Sequence, residues 1–186
     1  MIKTSKKSLL LHACCAPCAT SVYEKISNDF EITLFWFNPN IEPVEEHEKR
    51  LNEVIKLSKI LDAPLIINEK YPAENQSWNI LTKNFADEKE GGIRCRLCIK
   101  NRLLFTAKYA NENNFDYFAT TLTVSPHKNS QIINELGKEV ASKLNIEFLE
   151  ADFKKENGYL RSIELSKKYG LYRQSYCGCK YSANNL

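Results

Sequence analysis

Short apolar segments alternate along the chain with longer segments of helical periodicity. The apolar segments, rich in leucine, β-branched and aromatic residues, predict buried strands at 8–13, 30–37, 65–67, 117–122 and 146–149. Apolar residues at three- and four-residue spacing predict helices over 17–27, 43–61, 76–86, 99–111, 129–144 and 159–169. This alternation indicates an α/β fold, Rossmann-like, with a mainly parallel sheet of about five strands and helices on both faces.

Length and composition fit a single domain that spans residues 1–186. Hydrophobic residues make up 43% of the chain and charged residues 26%, as in ordinary globular domains. No run of about 18 apolar residues occurs, so we expect no transmembrane helix and no membrane partner. The apolar run at 9–11 behind the basic N-terminus is too short for a secretion signal. We therefore expect a cytoplasmic protein.

The cysteines change this picture, because they are numerous and clustered. The chain has seven of them, in three groups: Cys14, Cys15 and Cys18; Cys95 and Cys98; Cys177 and Cys179. An odd number cannot pair completely into disulfides, and a reducing cytosol disfavours structural disulfides in any case. The clustering indicates metal or redox chemistry.

The first group follows the first predicted strand, at the sheet edge where ligands bind in α/β folds. Cys95 and Cys98 stand three residues apart, so their sulfurs can face one metal. Two thiolates supply half of a four-thiolate site, and the first group can supply the rest.

Three interpretations of these cysteines compete. Structural zinc would use the pairs Cys15/Cys18 and Cys95/Cys98. A thioredoxin-like dithiol would use Cys15 and Cys18 alone. A four-iron cluster on four thiolates, with the others as redox thiols or ligands to another metal, uses the most cysteines and is favoured.

The pair Cys177 and Cys179 is separated by one glycine, Gly178. This gap is tight for a disulfide, although glycine permits the turn that such a bond requires. A strained bond would be easily reduced, as suits a catalytic disulfide. Alternatively, both thiolates bind one metal.

The charge distribution is informative beside the second cysteine group. The net charge is only +3, but residues 91–108 contain no acid and five basic residues, namely Arg94, Arg96, Lys100, Arg102 and Lys108. Such a stretch is either a solvated surface or a binding face for a phosphate-rich substrate.

Five blocks of the sequence resemble the epoxyqueuosine reductase family of the QueH type. They are HACCAPC at 12–18, NPN at 38–40, GGIRCRLC at 91–98, TTLTVSPHK at 120–128 and YRQSYCGC at 172–179. They span nearly the whole chain in the order found in that family, and none of them is a generic motif.

The resemblance implies an oxidoreductase that reduces the cyclopentane epoxide of epoxyqueuosine in tRNA to the alkene, without cobalamin. It implies a four-iron cluster (4Fe-4S) on Cys14, Cys15, Cys95 and Cys98. It also implies a redox-active pair at Cys177 and Cys179, and a second iron or other metal ion, for which Cys18 is the better candidate ligand.

This reaction requires two electrons and two protons and releases water. A four-iron cluster normally carries one electron at a time, so the terminal pair or a second metal must store the other, and an unidentified donor must supply both. His12, Asp152 and Tyr159 are candidate proton donors. Arg94, Lys128 and Arg173 are candidates for binding tRNA phosphates, and His127 for positioning the substrate. A zinc-stabilised RNA-binding module without catalysis is the alternative from another functional class.

Overall fold

The computed structural model describes residues 6–68 and 70–183. Its strands are β1 (Lys7–His12), β2 (Phe30–Trp36), β3 (Leu65–Ile67), β4 (Tyr117–Thr120) and β5 (Glu147–Phe148). Its α-helices are α1 (Ala16–Ile26), α2 (Val44–Leu61), α3 (Ala73–Thr82), α4 (Ile93–Glu112), α5 (Ser130–Leu144), α6 (Gly158–Lys168) and α7 (Lys180–Ala183). Short 3₁₀ turns cover Lys83–Phe85 and Thr121–Val124.

The described strands form one parallel sheet in the order β3-β2-β1-β4-β5. The central strand β1 pairs with β2 on one side and β4 on the other, with Leu9 opposite both Ile32 and Tyr117. Because all the strands point the same way, their carboxyl ends meet at one edge. The predicted Rossmann-like α/β fold is confirmed.

The leucines of β1 are buried on both faces of the sheet, which explains their continuous run in the sequence. Leu10 belongs to a core with Leu103 of α4 and Ile133 of α5. Leu9 belongs to the core on the other face, together with Val22 of α1. The helices therefore cover both faces, as predicted.

Two boundaries differ from the prediction in ways that affect the site. Helix α4 begins at Ile93 rather than at residue 99, so both Cys95 and Cys98 lie inside it. Strand β4 ends at Thr120 because the Thr120 side chain accepts a hydrogen bond from the Leu122 amide and starts a 3₁₀ turn. Among the described helices, none is long and apolar enough to cross a membrane.

Candidate functional site

The first cysteine group lies where β1 ends and α1 begins, at the carboxyl edge of the sheet. The sulfurs of Cys14, Cys15 and Cys18 all lie within 4.8 Å of one another. Cys15 is buried, and the other two are half-buried. Thiolates at this spacing can hold a metal ion.

The 3₁₀ turn after β4 fixes Cys14. The Thr121 hydroxyl donates to Cys14 Sγ at 3.2 Å and accepts the Cys14 amide at 3.0 Å. Hydrogen bonding with Cys14 lowers the pKa of Cys15 well below its usual range and raises the pKa of Cys18. These hydrogen bonds therefore favour a thiolate within the group.

The other two cysteine groups come from distant parts of the chain and form one combined group in the fold. Cys95 and Cys98 of α4 line one narrow cavity together with Cys177 and Cys179 of the C-terminal segment. Cys98 and Cys179 are buried, whereas Cys95 and Cys177 are half-buried. The fold thus returns the terminal pair to the other cysteines.

A larger cleft of about 400 Å³ adjoins this cavity and reaches the first group. Cys14 and Cys18 line the cleft, and Cys177 lines both spaces. Asn40, Arg102 and Lys128 also line both. The two cysteine groups are therefore neighbours, and the cleft between them has the size of a small-molecule site.

Helix α2 holds the terminal segment in this place. The buried guanidinium of Arg50 donates to the carbonyl of Cys177 at 3.1 Å and to that of Tyr176 at 3.3 Å. Gly178 has a φ of +120°, and a Cβ there would lie 2.8 Å from Arg50 Nη1. Glycine at 178 is therefore required both by the backbone conformation and by the close approach of Arg50.

Three of the four predicted substrate-binding residues lie at the cleft. His127 is exposed, and Arg173 is half-buried beside the ring of Tyr159. Lys128 places its Nζ 3.2 Å from the sulfur of Cys177. Arg94 is buried instead, and it donates to the carbonyls of residues 85 and 86, so its position favours a structural role over a phosphate contact.

The stretch 91–108 does not form one exposed basic face. Arg94 and Arg102 are buried, Lys100 pairs with Glu139 of α5, and Lys108 pairs with Glu112. The acids that pair with Lys100 and Lys108, Glu139 and Glu112, lie outside the stretch. The absence of acids within the stretch therefore did not indicate an unpaired basic surface.

The position of His12 favours packing over proton donation. It is fully buried, with Nδ1 2.9 Å from the Thr120 hydroxyl and Nε2 3.2 Å from the Phe37 carbonyl. Burial lowers its pKa to about 4, so the imidazole is neutral near pH 7. A neutral imidazole donates to the carbonyl through Nε2 and accepts from the hydroxyl at Nδ1.

Asp152 lies in a neighbouring groove rather than along the cleft. Its carboxylate accepts from the Ser130 hydroxyl at 3.0 Å and pairs with Lys154 at 3.1 Å. Desolvation raises the pKa of Asp152, but these two partners outweigh it and lower the pKa overall. The group is ionised near pH 7, which does not favour the predicted role of proton donor.

Sequence reasoning did not single out Asn40 and Arg102 as site residues. Two features of the sequence could have indicated these residues. Arg102 stands seven residues after Cys95, and thus on the same helical face as Cys95 and Cys98. Asn40 follows β2, whose carboxyl end lies beside that of β1.

Comparison with solved structures supports the fold alone. A protein described as the predicted subunit of a tRNA methyltransferase from Methanocaldococcus jannaschii superposes with a TM-score of 0.56 at 13% sequence identity. The match covers 88% of this chain and 75% of that one.

Sequence comparisons identify the family. The family model described as "Epoxyqueuosine reductase QueH" matches residues 9–185. A protein of that name from Staphylococcus aureus is 40% identical over 96% of this chain and 76% of its own length. Another, from Thermotoga maritima, is 36% identical over 94% of this chain and 90% of its own length. The chain belongs to the epoxyqueuosine reductase QueH family.

Proposed function

We propose that this protein reduces epoxyqueuosine to queuosine in cytoplasmic tRNA, by a cobalamin-independent route that uses cysteine-held metal. One observation carries the proposal. In a chain of this family, a cleft of about 400 Å³ lined by Cys14, Cys18 and Cys177 adjoins the narrow cavity lined by Cys95, Cys98 and Cys179. The reaction breaks both carbon–oxygen bonds of the epoxide, consumes two electrons and two protons, and yields an alkene and water.

The donor set fits an iron–sulfur centre, because soft thiolates are the ligands that such centres use. In our proposal Cys14, Cys15, Cys95 and Cys98 hold a 4Fe-4S cluster, which supplies electrons one at a time when bound. Cys18, Cys177 and Cys179 hold a second iron or other metal, or the terminal pair acts as a dithiol that closes to a disulfide. An external one-electron donor would supply both electrons.

The cleft supplies the binding surface for the modified nucleoside. Tyr159 and Tyr176 line it and offer aromatic rings beside the base. Arg173 lines the same cleft and adds positive charge toward the tRNA backbone, and His127 and Lys128 line it as well. Because phosphate contacts release counterions, the affinity for tRNA should fall steeply as salt is added.

The direct test is anaerobic purification, iron and sulfide analysis, and a single-turnover assay on tRNA that carries epoxyqueuosine, with dithionite as reductant. We expect a brown protein with about four cluster irons per chain and conversion to queuosine. Cys95→Ser and Cys98→Ser should each lose cluster iron. A colourless protein that holds zinc, binds tRNA and leaves epoxyqueuosine unchanged would instead identify the RNA-binding module.

The terminal pair requires a separate test. Cys177→Ala and Cys179→Ala should keep the cluster absorbance yet stop conversion, because the second electron store is lost. Turnover at the normal rate would make that cysteine dispensable. Loss of the cluster in these variants would identify Cys177 and Cys179 as cluster ligands, and the ligands would then have to be reassigned among the seven cysteines.

A further inference from the structure

The wall between the two cysteine groups contains a polar cluster in which two residues, Arg102 and Asn40, are buried and have no role assigned so far. Arg102 is 3% exposed and Asn40 is 1% exposed, and both line the cleft and the narrow cavity. Lys128 lines the same two spaces. We call Asn40, Arg102 and Lys128 the junction cluster.

The two cations of the junction cluster have no acidic partner. Within the described residues, no carboxylate lies within 4.0 Å of Arg102 or Lys128. Arg102 Nε donates to the Cys98 carbonyl at 3.3 Å, and Lys128 Nζ contacts Cys177 Sγ. A buried cation without a carboxylate is stable only if an anion or an electron-rich atom lies nearby.

The amide of Asn40 adds a second, independent observation. Its Oδ1 is buried and has no hydrogen-bond partner. Buried polar atoms are almost always hydrogen-bonded, so an unpartnered one on a residue that lines a cavity indicates a polar ligand beside it. Because an amide oxygen only accepts, a ligand group there must come to donate a hydrogen bond to Asn40 Oδ1. The same group must carry electron density that the two cations stabilise.

We propose that the junction cluster is the subsite for the epoxide oxygen of the substrate, an inference that rests on the proposed function. As the first carbon–oxygen bond breaks, the carbon is reduced and the oxygen takes the bonding pair. Arg102 and Lys128 stabilise this alkoxide, as preorganised donors do in other oxyanion sites. After protonation, the oxygen donates to Asn40 Oδ1. Breakage of the second bond, with the second electron and second proton, releases the oxygen as water and leaves the alkene.

A different role would be compensation of the negative charge of the metal centre. That role would account for Arg102 and Lys128, which are cations close to the thiols. It would not account for Asn40, which carries no charge. Asn40 therefore discriminates between the two roles, and substitutions of Asn40 and Arg102 must be compared.

The first measurement is binding, with the anaerobic holoprotein and no reductant present, so that no turnover occurs. Dissociation constants are determined for tRNA with epoxyqueuosine and for the same tRNA with queuosine, which lacks the oxygen. Wild type should bind the epoxide form about tenfold more tightly. Arg102→Met should lose this preference and Arg102→Lys should keep part of it. Asn40→Ala should keep the preference, because the unreduced epoxide oxygen has no hydrogen to donate to Asn40 Oδ1, and should instead slow conversion.

Arg161→Met is the matched control, because Arg161 is a half-exposed arginine on α6 that pairs with glutamates away from the cleft. It should keep the full preference for the epoxide form. The second measurement is single-turnover conversion with dithionite, after iron and sulfide analysis. Arg102→Met should be slower by about a hundredfold with unchanged iron content, as expected when one oxyanion donor is removed.

The possible outcomes separate this inference from the proposed function. If wild type converts epoxyqueuosine and Asn40→Ala converts it at the same rate, the oxygen subsite is overturned. If Arg102→Met loses iron or shifts the midpoint potential while its binding preference is normal, Arg102 is a charge partner of the centre and the subsite is also overturned. If wild type leaves epoxyqueuosine unconverted, the proposed function fails, and the inference fails with it.

Discussion

Thr121 is the residue best placed to tune the first cysteine group. It is fully buried, and its hydroxyl donates to Cys14 Sγ while accepting the Cys14 amide. Hydrogen bonds to ligand sulfurs stabilise the reduced form of a metal centre and raise its potential. We expect Thr121→Val to lower the midpoint potential by on the order of 50 mV, which for one electron is roughly 1 kcal/mol.

The control for this prediction is Thr121→Ser, which keeps the hydroxyl and removes only a methyl group. Redox titration of both variants, followed by the visible absorption of the centre, makes the comparison. Equal potentials in Thr121→Val and wild type would mean that the hydroxyl does not reach the charge on the sulfur.

At the scale of single residues, the sequence alone could identify some of the site residues but not the roles of others. The cysteines could be found, because clustered thiols are rare outside metal and redox sites. The roles of His12 and Arg94 could not be read from residue type, because both depend on burial. His12 is fully buried and hydrogen-bonded at both ring nitrogens, and Arg94 donates to two backbone carbonyls.

At the scale of elements, an ion-pair network links α4 to α5. Lys100 of α4 and Lys143 of α5 each lie 2.7 Å from Glu139 Oε1. The hydrogen bond from Lys100, followed by that from Lys143, lowers the pKa of Glu139 from 4.5 to about 2. Because the folded pKa is depressed, the contribution to stability is present above about pH 4.5 and is lost as the pH falls toward 2.

Nuclear magnetic resonance titration of the Glu139 carboxyl carbon tests this prediction directly. We expect Lys100→Met to raise the pKa of Glu139 toward 4.5, and to do so at least as much as Lys143→Met. Lys138→Met is the control, since Lys138 pairs with Glu150 instead. A pKa near 4.5 in the wild-type protein would show that the network does not persist in solution.

Helix α5 approaches β5 closely at one glycine. A Cβ on Gly137 would overlap the ring of Phe148, which also packs against Phe118. Alanine gains about 1 kcal/mol of helix propensity over glycine, but overpacking at this contact costs more. We expect Gly137→Ala to reduce the free energy of unfolding by about 2 kcal/mol net, measured by urea denaturation.

A second substitution separates the contact from other effects of Gly137→Ala. Phe148→Leu makes room for the new methyl group, so the double variant should be more stable than the sum of the single effects predicts. Strict additivity of the two substitutions would assign the loss to something other than this contact.

The elements themselves were predictable where periodicity and apolar runs agreed. The strands and helices of the α/β fold follow from these patterns, and the buried leucines of β1 are the strongest case. The start of α4 was not predictable, because consecutive glycines such as Gly91 and Gly92 usually interrupt a helix. Here Gly92 has an extended backbone and serves as the N-cap. This difference decides the site, since it places Cys95 and Cys98 on the helical face that also carries Arg102.

At the scale of the whole molecule, the site is assembled from distant segments. The end of β1, the turn after β4, helix α4 and the C-terminal segment all line the cleft and its adjoining cavity. Local patterns placed the cysteine groups at the ends of elements but could not specify which group faces which. That information lies in long-range contacts, above all in those that return the terminal segment to the cleft.

Arg50 holds the terminal segment against the rest of the fold, and our last prediction concerns this residue. It lies within α2, is 2% exposed, and pairs with Glu46 at 2.6 Å while donating to the carbonyls of Tyr176 and Cys177. Arg50→Met leaves a carboxylate short of its partner and two carbonyls without donors. We expect the free energy of unfolding to fall by about 3 kcal/mol. The terminal segment should also open locally, since fewer contacts hold it.

The measurement is alkylation of Cys177 and Cys179 by N-ethylmaleimide in the metal-free protein under native conditions, followed by mass spectrometry. Arg50→Met should react about tenfold faster at these two cysteines than wild type, whereas Cys14 and Cys15 should react at unchanged rates. Lys59→Met, an exposed position on the same helix, is the control. If all the cysteines accelerate together, Arg50 supports the whole fold rather than the terminal segment. If none does, the segment is held by its other contacts, such as the hydrogen bond from the Glu42 amide to the Gly178 carbonyl.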